Sequence, residues 1–267
     1  MPERVLVGVD GSSPSDAAVE WAVERAMRLG LDLVLLQASD SPVAAPREPG
    51  ATERSLLDGL VVELRSRPGV GAVTGLSVRG EAMEQLLAAS AGAGIVVVGS
   101  HKTGFLRGRV FGSRSLRLVA GATCPIAIVP EPSGRVRRGV AVGVSDSPSS
   151  DGAVRFAARE AAALGEELLL IHGDPSAAAA DPPVDAASRS ALLLVAARDL
   201  ALTIAPALTV RLRPVPRLAA VALADAAPAT VLLVLAASSG RGSPGALGRT
   251  THDVLMNLAG PTVVVPA

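Results

Sequence analysis

Short, wholly apolar runs alternate along this chain with longer stretches in which apolar residues return every three or four positions. Arg4–Val9 is an apolar run of strand length. From Pro14 to Leu29, Val19, Ala22, Val23 and Ala26 mark one face of a helix, with Ser13 placed to cap it and Pro14 in its first turn. Asp32–Ala38 reads as a second strand and Thr52–Arg65 as a second helix. Val70–Val78 follows as a strand, Glu81–Ala91 as a helix, and Ile95–Val98 as a fully apolar strand. A helix from Gly112 to Ala120 and a last strand, Pro125–Val129, complete a βαβαβαβαβ order. Strands that are apolar throughout need cover on both faces, so the pattern predicts a parallel sheet with helices on each side.

The pattern then repeats. Residues 140–152, Val-Ala-Val-Gly-Val-Ser-Asp-Ser-Pro-Ser-Ser-Asp-Gly, lie under residues 5–17, Val-Leu-Val-Gly-Val-Asp-Gly-Ser-Ser-Pro-Ser-Asp-Ala. Cys124-Pro-Ile-Ala-Ile-Val-Pro130 likewise matches Gly260-Pro-Thr-Val-Val-Val-Pro266. A match at both ends with a nearly constant offset predicts two tandem five-stranded parallel α/β domains, Rossmann-like in layout. They are placed at residues 1–131 and 139–267, joined by the Pro- and Gly-containing basic stretch 130–138.

Composition narrows the chemistry. About half of the 267 residues are hydrophobic, yet there is no Tyr, one Trp and three Phe, so the core is built from Ala, Val and Leu. A formal net charge of zero argues against a protein that coats nucleic acid or an anionic membrane. The single cysteine, Cys124, excludes an internal disulfide and reads as a small buried hydrophobe. Apolar runs such as Ala229–Ala237 are too short for a membrane span, and the amino terminus lacks a signal-like segment. A cytoplasmic location is the expectation.

The stretch from Val96 to Ser113 is the most informative. It reads as a buried strand ending on Gly99, then a basic glycine-rich loop, then a helix entered at Gly112-Ser113. Unpaired backbone N–H groups and a helix N-terminus around one point form a phosphate site. Lys102, Arg107, Arg109, Arg114 and Arg117 fall within sixteen residues, and no Asp or Glu occurs between Glu84 and Glu131. In a parallel sheet, ligands sit outside the carboxyl ends of the strands where strand order reverses. Gly8-Val9-Asp10-Gly11 and Gly99-Ser100-His101 are the two turns expected at that edge. No G-x-G-x-x-G follows the first strand, and His101-Lys102-Thr103 lacks the glycines of a P-loop.

The spacing that does fit is G-x2-G-x9-G-[ST], from Gly99 to Gly112-Ser113, with Lys102 in place of the second glycine. With Val-Gly-Val-Asp-Gly-Ser at residues 7–12 and the Cys-Pro-Ile-Ala-Ile-Val-Pro finish, the chain resembles the universal stress protein family in its tandem form. The resemblance covers nearly the whole chain. It implies ATP, with Mg2+ carried by the nucleotide, bound in the first domain. Gly8 and Asp10 would then face the nucleoside, while Gly99, Ser100, His101, Thr103, Gly104, Gly112 and Ser113 wrap the phosphates. Lys102, Arg109 and Arg114 would add positive charge. It further implies an unidentified protein partner and an intramolecular pseudo-dimer that can pair again as a homodimer.

The second copy departs from this pattern. Ser145 stands at the Asp10 position, Ala236 at that of Gly99 and Arg249 at that of Ser113, so this half reads as structural, with Arg241 and the loop amides left as an alternative anion site. His101, His172 and His252 lie at no metal or catalytic spacing, and no nucleophile–base pair is visible; any ATP hydrolysis is expected to be slow. Two functions stay open: a nucleotide-binding regulator of the stress response, and an interaction scaffold with both sites lost. An adenylating enzyme is a weaker third.

Overall fold

A computed structural model of the chain describes residues 4–39, 56–100, 113–178, 186–237 and 247–267. The chain divides into two compact units, Met1–Ser100 with Gly121–Glu131 and His101–Ala120 with Pro132–Ala267.

The first unit holds strands β1 (Arg4–Gly8), β2 (Asp32–Ser39), β3 (Val73–Arg79), β4 (Ile95–Gly99) and β5 (Ile126–Val129). They form a parallel sheet in the order β3-β2-β1-β4-β5. Val5, Val7, Leu33, Leu35, Ile95, Val96 and Val97 have no exposed surface, as expected of central strands covered on both faces. Helix α1 (Ser13–Leu29) packs Ala18, Val19, Ala22, Val23 and Ala26 inward. Its N-cap is Ser12, whose hydroxyl accepts from the N–H of Ser15, and Gly30 ends it in the left-handed region at φ 64°. Helices α2 (Leu56–Ser66) and α3 (Ala82–Ser90) follow; α4 (Ser113–Gly121) precedes β5 in the chain but falls, up to Ala120, in the second unit by this division. The edge strand β3 is partly closed by Arg65 of α2, whose Nε and Nη2 donate to the Val73 carbonyl at 3.0 and 2.8 Å.

The second unit repeats the plan. Strands β6 (Val140–Gly143), β7 (Leu168–Gly173), β8 (Val210–Val215), β9 (Leu232–Ala236) and β10 (Thr262–Val265) are parallel in the order β8-β7-β6-β9-β10. Helices α5 (Ser149–Leu164), α6 (Ala186–Ile204), α7 (Ala219–Ala226) and α8 (Arg249–Met256) connect them. Its edge strand β8 carries Arg211, Arg213 and Pro214, which discourage pairing with a further strand. Among the described residues no helix is long and apolar enough to cross a membrane.

Candidate functional site

The first unit opens where its central strands part. β1 and β4 pair only as far as Val7 and Val97. Beyond that point each strand follows its outer neighbour. Gly8 pairs with Leu36 of β2, and Val9 donates to the Leu36 carbonyl at 2.8 Å; Gly99 pairs with Val129 of β5, and Ser100 donates to the Val129 carbonyl at 3.0 Å. Two strands drawn apart at their carboxyl ends leave a crevice at the reversal of strand order, as such sheets do.

A hydrogen-bonded turn forms one lip. Asp10 Oδ1 accepts the N–H of Ser12 at 2.9 Å and its hydroxyl at 2.6 Å, which closes an Asx turn over Gly11 at φ +77°. Ser15 completes it: its hydroxyl accepts from the Asp10 N–H at 3.2 Å and donates to the Gly8 carbonyl at 3.4 Å. The carboxylate is thus held at the exposed mouth by the residues that start α1.

Two of the glycines expected to face a ligand also sit where a side chain would meet close packing. A Cβ on Gly8 would lie 3.1 Å from Leu86 Cδ1 of α3, and one on Gly99 would overlap the Pro14 carbonyl at the start of α1. Ser100 is buried next to Gly99. Ser113 and Arg114 open α4. His101, Lys102, Thr103, Gly104, Arg109 and Gly112 lie outside the described residues. The roles of Leu86, Ser12 and Ser15 were not legible as site features, although the run Asp10-Gly-Ser-Ser-Pro-Ser15 carries the turn chemistry that produces them.

The second unit parts in the same way. β6 and β9 pair as far as Val142 and Val234, after which Gly143 pairs with Ile171 and Ala236 with Val265. Ser145 rebuilds the turn without the charge: its N–H donates to Ser150 at 3.1 Å, and its hydroxyl accepts from the Ser147 N–H at 3.4 Å. A half-open pocket of about 120 Å3 lies at the parting, lined by Val144, Ser145, Leu223, Leu235, Thr250 and Thr251 among others. A carboxylate turn recurs one strand over, at the end of β7. Asp174 Oδ1 accepts the Ser176 N–H at 2.9 Å and its hydroxyl at 2.6 Å. The two Ser176 bonds hold the Asp174 carboxyl below its ordinary range, helped by His172 and Arg189 and opposed slightly by desolvation. His172 itself donates from Nδ1 to the Val144 carbonyl at 2.9 Å.

Cys124 is buried, and burial pushes its thiol up to about 11, so it is a packing residue rather than a nucleophile. Glu166 accepts the Gly139 N–H at 2.7 Å and lies 3.7 Å from Arg138. Among the described residues no group of three or more His, Cys, Asp or Glu is placed to hold a metal ion.

Two doubly wound parallel units, each parting at its first and fourth strands, define a tandem α/β protein with a crevice at the same edge of both halves. A family model described as the universal stress protein family matches residues 1–130 and again 137–266, and the chain belongs to that family. A universal stress protein of Mycobacterium bovis is 29% identical over 195 residues, covering 63% of this chain and 62% of the relative; the match therefore spans less than two thirds of that relative's length. One from Mycobacterium tuberculosis is 30% identical over 181 residues, covering 65% of this chain and 66% of its own. A universal stress protein structure from Archaeoglobus fulgidus shares the fold at a TM-score of 0.69 and 16% identity, covering 98% of this chain and 96% of that one.

Proposed function

We propose that the first unit binds an adenine nucleotide, ATP with its Mg2+, at the parting of β1 and β4, and that a protein partner reads the bound state. The observation that carries this reading is the Asp10 carboxylate, pinned by Ser12 at the mouth of a crevice opened by the parting strands. In this reading Asp10 orients the nucleoside. Gly99, Ser100, Thr103, Gly104, Gly112 and Ser113 line the phosphate path, and Lys102 and Arg109 balance its charge. The Mg2+ ion is held chiefly by phosphate oxygens and water, the ligands it takes most readily. It supplies charge neutralisation for the triphosphate. Hydrolysis is slow because no described side chain is arranged to activate water. The protein acts in the cytoplasm as a stress-response regulator.

A second reading, a scaffold that binds no nucleotide, is favoured by one specific observation. Gly8 and Gly99 are needed by Leu86 and Pro14, so the fold keeps both whether or not a ligand is present. Thermal denaturation of the full chain with and without ATP and Mg2+ separates the two. Nucleotide binding raises the wild-type midpoint and leaves that of Gly112→Asp unchanged; a scaffold shows no nucleotide effect in either. Lys102→Gly then distinguishes a phosphate contact, which weakens on substitution, from a strained loop position, which tightens.

A further inference from the structure

We propose that the outward face of α6 pairs the chain with a second copy of itself, the two α6 helices packing antiparallel about a twofold axis. The helix is apolar on the side it shows to solvent as well as on the side it buries. Leu194, Ala197 and Ala201 are buried in the second unit. On the opposite side Leu192 is 70% exposed and Val195 36%, with Ala196 exposed beside them. No ionisable residue occurs between Arg189 and Arg198. A helix lying on a protein surface ordinarily carries charge on its outer face. The counterpart α2 does so, exposing Asp58, Glu63 and Arg65. An apolar stripe left open on α6 marks a surface that another molecule covers.

The stripe is complementary to itself reversed. Helical spacing sets Leu192, Val195, Ala196 and Asp199 along one line, with Arg189 on its shoulder, and all five are exposed. With the twofold axis at the level of Leu194, Leu192 of one copy meets Ala196 of the other, a large side chain against a small one. Arg189 then meets Asp199, and symmetry makes both contacts twice. Asp199 keeps an exposed carboxylate while accepting from Arg198 of its own helix at 2.8 Å. A parallel pair would instead set Arg189 against Arg189 and Asp199 against Asp199, and like charges so placed repel. Charge therefore selects both the partner and its direction.

The contact is small. A helix of nineteen residues is about 28 Å long, so a pair of them falls at the low end of interface sizes and associates weakly. This inference does not rest on nucleotide binding by the first unit.

The test is sedimentation equilibrium of the full chain without nucleotide, from about 10 µM to about 1 mM protein. The weight-average mass is expected to rise with concentration, with a Kd on the order of 100 µM. Leu192→Glu weakens the association by about tenfold or more. Arg189→Asp weakens it by about fivefold, and adding Asp199→Arg restores it to within about twofold of wild type. These positions are exposed, so the variants keep the wild-type circular dichroism and melting midpoint. The proposal is overturned if the wild type shows no concentration-dependent association, if Leu192→Glu or Arg189→Asp associates as the wild type does, or if the double variant stays as weak as Arg189→Asp.

Discussion

A side chain on Gly99 would overlap the carbonyl of Pro14, so the end of β4 and the first turn of α1 meet backbone to backbone. At the matching place in the second unit stands Ala236, and α5 there begins differently: Pro148 precedes it and Ser149 opens it.

From that contact, Gly99→Ala is expected to destabilise the full chain by about 1–3 kcal/mol through overpacking against main chain that cannot yield. The reciprocal Ala236→Gly costs only about 0.5–1 kcal/mol, the ordinary glycine penalty. Urea unfolding at unchanged slope measures both. Equal effects would contradict the contact.

Asp10 separates turn from charge. Ser145 shows that serine closes the same turn, so Asp10→Ser should leave stability within about 0.5 kcal/mol of wild type. The same substitution removes the carboxylate and should lower nucleotide affinity by about tenfold or more in the proposed reading. Stability and binding measured on one preparation test the division; a variant that loses stability but not affinity would reverse it.

The Asp174 turn gives a pH signature. Its folded carboxyl titrates below the ordinary value, so its contribution to stability is present above the unfolded pKa of about 3.9 and is lost as pH falls through the folded value. Removing the Ser176 hydroxyl deletes the leading cause. Ser176→Ala is therefore expected to move the Asp174 titration up toward the ordinary value, seen by carboxyl NMR. An unmoved titration would assign the shift to the residue 176 N–H instead.

Much of this fold was legible because its signals are local and doubled. Apolar strands, helical periodicity and the repeated Val-x-Val-Gly-Val turn place every described element of the first unit within a few residues. The misses have physical reasons. Ser12, not Ser13, caps α1, since a run of serines offers several acceptors and only the Asx turn at Asp10 selects one. β3 enters the sheet at Val73 rather than Val70, because Gly69 turns at φ +84° and a Cβ on Gly71 would approach the Leu31 carbonyl at 2.9 Å. The packing role of Gly8 was not legible because the residue that fills the place of its side chain, Leu86, lies far along the chain. The pocket in the second unit was invisible for the same reason: its walls come from five separated segments.

The most direct test of the central claim is isothermal calorimetry of the full chain with ATP and Mg2+, repeated with Asp10→Ser and Gly112→Asp. Saturable binding near one nucleotide per chain, weakened by the first variant and abolished by the second, is the predicted result. Wild-type protein that gives no binding at millimolar nucleotide, or binding that both folded variants retain, would contradict it.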